Sequence, residues 1–136
     1  MTAKPDLPPI PADMPSARGA VTGAPRLILR LEGAVLLAGC LAAYAVLGAA
    51  WWLFAILFLL PDIFMLGYLL DSRRGAALYN LGHSTVLPAL TIAAGLFTGS
   101  DTATAAGLIW LAHVGFDRAL GYGLKYPEGF WRTHLN

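Results

Sequence analysis

The chain has 136 residues, 57% of them hydrophobic and only 12% charged, with 15 glycines, 9 prolines and a formal net charge of +1. Soluble domains carry about 25% charged residues, so this composition belongs to a membrane protein. Four apolar stretches of about 20 residues, enough to cross about 30 Å of hydrocarbon, consume nearly everything after residue 29 and leave no room for a soluble catalytic domain. The Lys and Arg residues are scattered, without the long basic tract that gripping a nucleic acid requires.

Residues 1–29 hold six of the nine prolines (Pro5, Pro8, Pro9, Pro11, Pro15 and Pro25) among small residues. Such a composition buries too little apolar area to order itself and reads as a disordered N-terminal tail. A secretory signal is not expected, because the first apolar run begins only near Leu27. Spanning helices are expected at 30–49, 51–70, 76–97 and 102–124. Gly48, the Asp71–Gly75 stretch and Gly99-Ser100-Asp101 punctuate them, and connections this short make neighbours antiparallel.

In the first span, Ala34, Ala38 and Ala42 recur every fourth residue and suggest a close-packing face. Cys40, the sole cysteine, rules out an intrachain disulfide and reads as a small buried hydrophobe. Pro61 in the second span removes an N–H, frees the carbonyl of Leu57 and bends the helix; Pro88 in the third does the same for Ser84. Basic residues fall as Lys4, Arg18, Arg26 and Arg30 before or in the first span, Arg73 and Arg74 in the second connection, and Arg118, Lys125 and Arg132 at the C-terminal end. The remaining connections have none, so both termini are expected on the cytoplasmic side. Trp51 and Trp52 mark one headgroup level, and Tyr68, Tyr122, Tyr126 and Trp131 the other.

Ionisable groups inside a span cost roughly 2.5 to 3.5 kcal/mol each on insertion scales, so those that persist face protein or water and mark function. Here they are Glu32, Asp62, His83, His113, Asp117 and Arg118, joined by the uncharged Asn80 and Ser84. At 1.5 Å rise per residue, Asp62 lies about 12 Å from the inner end of its span, His83 about 10 Å, His113 about 16 Å and Asp117 about 10 Å. Three spans therefore place acids and imidazoles at one level. His113 and Asp117 share a helical face, as do Asn80, His83 and Ser84. Glu32 is shallower and pairs as readily with a surface base.

Two imidazoles and two carboxylates at one depth suit a divalent metal, Zn, Mn or Fe, with His83, His113 and Asp117 as ligands and Asp62 as a further ligand or general base. Asn80, Ser84, Arg118 and His134 are candidates for supporting or lid roles. The same residues equally suit a hydrogen-bonded network that specifies helix packing, or a proton-linked carrier. Arg118, next in sequence to Asp117, points elsewhere and snorkels to the headgroups. The stretch from Gly121 to His134 mixes aromatics with both charge signs and reads as an interfacial anchor, with a lid presenting His134 or Glu128 to the site as the alternative.

The stretches Pro61-Asp-Ile-Phe-Met-Leu-Gly-Tyr68, Tyr79-Asn-Leu-Gly-His-Ser84 and Trp110 to Tyr126, with Thr133-His-Leu135 closing, resemble the domain-of-unknown-function 4260 family over about residues 27–136. The resemblance implies a small bacterial integral membrane protein without an assigned reaction, and it highlights Asp62, Asn80, His83, His113, Asp117 and His134. In motif order alone, Pro61-Asp62, His83-Ser84 and His113 to Asp117 are similar to the membrane-bound metal-dependent hydrolases. Phe64 and Leu78 stand where that pattern has an acid and a histidine, so at most one metal is implied.

The sequence thus predicts an all-α, antiparallel four-helix bundle in a bacterial inner membrane, with its lipid bilayer as partner, no nucleic acid, and a homo-oligomer compatible with the composition. Its expected activity is metal-assisted hydrolysis of a membrane-accessible small-molecule or lipid substrate.

Overall fold

The computed structural model describes residues 19–135; the tail expected at 1–29 lies outside the described residues as far as residue 18. The described chain is helical: α1 (Gly23–Leu47), α2 (Trp51–Leu57), a 3-10 helix (Leu60–Leu69), α3 (Ser72–His83), α4 (Val86–Thr98) and α5 (Asp101–Leu120). Three stretches are long and apolar enough to cross a membrane, namely Gly23–Leu47, Trp51–Leu69 and Ser72–Thr98, which marks a membrane protein.

Helix α1 starts at Gly23, earlier than the expected residue 30. Pro25 reads as tail in the sequence, yet it occupies the first turn of the helix, where its missing N–H removes no intrahelical bond. The helix ends at Gly48, whose φ of 72° is open to glycine without a Cβ penalty. Helix α3 likewise starts at Ser72 and not at 76. Arg73 and Arg74 oppose the helix dipole there, but the Asp71 side chain caps the helix by accepting the Arg74 N–H at 2.7 Å.

Both prolines do more than bend a helix. After Leu57 the second span changes to 3-10 geometry, and the third divides between His83 and Val86, with Ser84 extended at ψ 154° and Pro88 in the first turn of α4. With three residues per turn, the 3-10 helix sorts its side chains into rows. Leu60, Ile63, Leu66 and Leu69 form an exposed row suited to lipid. Pro61, Phe64 and Gly67 turn towards α3, where a Cβ on Gly67 would press on Leu78 and one on Gly82 would overlap the Phe64 ring. Asp62, Met65 and Tyr68 form the third row, partly buried.

The fourth expected span, 102–124, is α5, which is not among the stretches apolar enough to cross. Threonines, glycines, His113, Asp117 and Arg118 dilute its hydropathy, and it is the most enclosed helix, with nine buried residues. It packs chiefly on α1 and α4, while α3 packs chiefly on the 3-10 helix. Gly33 of α1 and Gly115 of α5 approach so closely that a Cβ on either would meet the other helix's backbone at 2.7 to 2.9 Å. The packing face of α1 is therefore Gly33, Cys40 and Tyr44. Ala34, Ala38 and Ala42, expected to pack, are exposed because they lie off the Gly33–Gly115 contact. Cys40 is buried with Tyr44, Ala105, Leu108, Ile109 and Ala112 in the core.

Candidate metal centre

The two packing groups, α1/α4/α5 and α3/3-10, meet along a seam crossed by polar side chains. Trp110 of α5 donates its Nε1–H to the Gly82 carbonyl of α3 at 2.6 Å. Tyr79 of α3 donates its O–H to Asp117 Oδ2 of α5 at 3.2 Å. Between these ties, Nε2 of His83 and Nε2 of His113 lie 3.2 Å apart, both residues buried.

Asp62, from the partly buried row of the 3-10 helix, places Oδ1 3.5 Å from each of these nitrogens. Asp117 Oδ2 lies 3.6 Å from His83 Nε2 and 3.8 Å from His113 Nε2. The ligand atoms of Asp62, His83 and His113 all fall within 4.8 Å of one another. The four residues expected at one membrane level are thus brought together.

Hydrogen bonding fixes which nitrogen of His83 faces the centre. Nδ1 lies 2.9 Å from the Tyr79 carbonyl, which only accepts, so Nδ1 carries the proton and the neutral ring presents an Nε2 lone pair inward. The Tyr79 ring stacks on the imidazole with centroids 3.7 Å apart and holds its plane. His113 is packed edge-to-face on Phe58, and its buried Nδ1 has no hydrogen-bond partner among the described residues. One imidazole therefore has the outer support common to metal-binding histidines and the other lacks it.

Asn80, Ser84, Arg118 and His134 do not join this cluster. Asn80 faces the C-terminal segment: its Nδ2 donates to the Lys125 carbonyl at 2.8 Å and its Oδ1 accepts the Lys125 N–H at 2.6 Å. Ser84 donates to Leu81 O at the end of α3. Arg118 follows Asp117 around the helix and lies against Gly33 of α1. His134 Nδ1 accepts the Leu124 N–H at 2.8 Å, which turns the ring into a brace within the segment, and Glu128 is exposed. Neither of these two residues is among those that line the cavity beside the cluster.

The segment nevertheless covers the site, by residues that the sequence did not single out. Lys125 and Thr133 form an isolated antiparallel bridge. A cavity of about 290 Å³ is lined by Asp62, Met65, Tyr79, Asp117, Tyr122, Lys125, Phe130, Trp131 and Thr133. Burial pushes the Lys125 ammonium down to about 8 and the His134 imidazole below its ordinary value. A larger cavity of about 440 Å³ lies against Pro61 and Phe64. Its polar side chains, Thr91 and Trp110, donate to the Leu87 and Gly82 carbonyls. Tyr79 was discoverable in principle, since Tyr79 and His83 have the same i, i+4 spacing as His113 and Asp117.

No curated protein and no solved structure matches the chain. Residues 26–136 match the family described as Domain of unknown function (DUF4260), and the chain belongs to that family.

Proposed function

We propose that the seam holds one divalent ion, Zn, Mn or Fe, and that the protein is a hydrolase of a membrane-accessible substrate. The observation that carries this reading is the triangle of Asp62 Oδ1, His83 Nε2 and His113 Nε2, with sides of 3.2, 3.5 and 3.5 Å. A tetrahedral ion bound at about 2.0 to 2.1 Å spaces its ligands about 3.3 to 3.4 Å apart. Two imidazoles and one carboxylate leave a coordination position open, as hydrolytic centres require.

Bound there, the ion supplies Lewis acidity and makes water a nucleophile near neutral pH. Asp117 abuts both imidazoles and is the base that takes the water's proton, while the Tyr79 O–H orients its carboxylate. Asp62 acts as a ligand in this scheme, with its side chain 40% exposed towards the cavity. The membrane is a bacterial inner membrane with both termini cytoplasmic, a reading supported by the distribution of basic residues.

A packing role is the second reading, because 3.2 Å between the two Nε2 atoms is also a hydrogen-bond length. Elemental analysis of purified protein separates them. Near-stoichiometric metal that is lost in a folded His113→Ala variant supports the centre; metal-free wild type of full stability supports packing.

A further inference from the structure

Lys125 is a buried cation on which the carboxylates of Asp117 and Asp62, on the same cavity wall, act at longer range than an ion pair. It is 8% exposed, and its Nζ sits 3.2 Å from the Phe130 ring centroid, 4.5 Å from that of Tyr79 and 5.7 Å from that of Tyr68. Among the described residues the ammonium donates to the Phe130 carbonyl at 3.1 Å. An ammonium has three donors, and no carboxylate of the described residues comes within 4.0 Å of it. The ring faces, the Phe130 carbonyl and the more distant carboxylates offset part of the cost of burying this charge, and ammonium donors are left over for a ligand.

The backbone around Lys125 is built to hold it in place. Two hydrogen bonds with Asn80 fix residue 125 to α3, and the isolated bridge fixes it to Thr133 further along the segment. Asn80 lies one turn before His83, so the same helix positions the ammonium and one of the proposed ligands. Lys125 and Thr133 share the cavity wall with Asp62 and Asp117. Thr133 Oγ1 accepts the Leu135 N–H at 3.2 Å, which leaves its own proton to donate.

We propose that Lys125, with Thr133, is the subsite for a phosphate group, and that the substrate is a phosphate ester. The phosphate-ester substrate rests on the hydrolase reading above, and a divalent ion there would strengthen the subsite by offsetting the repulsion that the two cavity carboxylates exert on an oxyanion. The Lys125 ammonium and the Thr133 hydroxyl donate to the non-bridging oxygens, and an ion held by Asp62, His83 and His113 would supply further positive charge. Hydrolysis forms one P–O bond to the water oxygen and breaks the P–O bond to the alcohol. One proton of the water passes to Asp117 and on to the departing alcohol oxygen, with no change in oxidation state. The ester's alcohol is either a lipid or a soluble molecule, and the phosphate chemistry is the same.

Lysine-selective NMR tests the subsite in the intact protein, because Lys4 and Lys125 are the only lysines. Metal-loaded protein with ¹³C-labelled lysine is titrated with inorganic phosphate, and separately placed in nanodiscs of phosphatidylcholine with or without phosphatidate. The Lys4→Arg variant assigns the two signals. A saturable shift of the Lys125 signal alone supports the proposal, a response to phosphatidate alone identifies the source as a lipid headgroup, and a response to free phosphate identifies a soluble one. A Lys125 signal unmoved by both overturns it. Lys125→Met should weaken phosphate binding about tenfold or more while Lys125→Arg stays within about threefold; equal binding by wild type and the folded Met variant also overturns it. Metal content of the same samples keeps the two readings apart. A phosphate-responsive Lys125 in protein that takes up no metal removes the hydrolase and keeps the anion subsite, whereas loaded protein with an unresponsive Lys125 does the reverse.

Discussion

His83 and His113 bring their Nε2 atoms to 3.2 Å from helices that pack chiefly on other partners, α3 on the 3-10 helix and α5 on α1 and α4. The imidazole pair therefore sits where two packing groups meet, and the groups are joined there by polar contacts from Tyr79 and Trp110. A centre at such a seam depends on every element that sets the spacing of the two groups.

Replacing Tyr79 by Phe removes the donor to Asp117 and keeps the ring that stacks on His83. We expect metal to be retained and turnover to fall about 10- to 100-fold, because the base loses the hydrogen bond that orients it. Elemental analysis and rate measurement on one preparation check this; metal loss with Tyr79→Phe would place the hydroxyl's role in binding instead.

Gly82→Ala tests the contact between α3 and the 3-10 helix. The added Cβ overlaps the Phe64 ring, so the two elements must separate, and overpacking of this kind costs about 1 to 3 kcal/mol. Because Asp62 belongs to the displaced element, metal affinity should drop together with the unfolding temperature. Unchanged affinity would show that the 3-10 helix does not set the position of Asp62.

Asn80→Ala leaves the Lys125 N–H and carbonyl without their side-chain partners, a loss of about 1 kcal/mol or more for this partly buried pair. Amide hydrogen exchange should accelerate at residues 124 to 126 while His83 and His113 keep their metal. Exchange equal to wild type would mean that the bridge to Thr133 alone holds the segment.

Lys125 gives a pH dependence with a definite sign. Its folded value of about 8 lies below the ordinary 10.5. Below pH 8 both states carry the proton and the full cost of the buried charge is present. Between about 8 and 10.5 the unfolded chain holds more protons than the folded one, so this contribution to stability rises with pH. Phosphate binding should run the other way and weaken as pH passes through about 8, a loss that Lys125→Arg should abolish. Calorimetry across pH 7 to 10, on wild type and the Arg variant, measures both trends.

A reporter enzyme active only in the cytoplasm, fused after Asn136, should be active if the basic residues set the orientation. An inactive fusion that is present at normal levels would invert the topology.

Residue types and their spacing were enough to show the membrane character, three of the four apolar stretches and the grouping of Asp62, His83, His113 and Asp117, because helical face and distance along a helix follow from rise and period alone. Proline positions marked where the helices yield, but not how far. Only the folded chain decided that Leu60–Leu69 is a 3-10 helix, which puts Asp62 in register with Met65 and Tyr68. Only the fold turned Asn80 away from the histidines to clasp Lys125, 45 residues later. Period and composition act locally, whereas the choice of partner across a seam is made by shape and by which buried polar groups must satisfy one another.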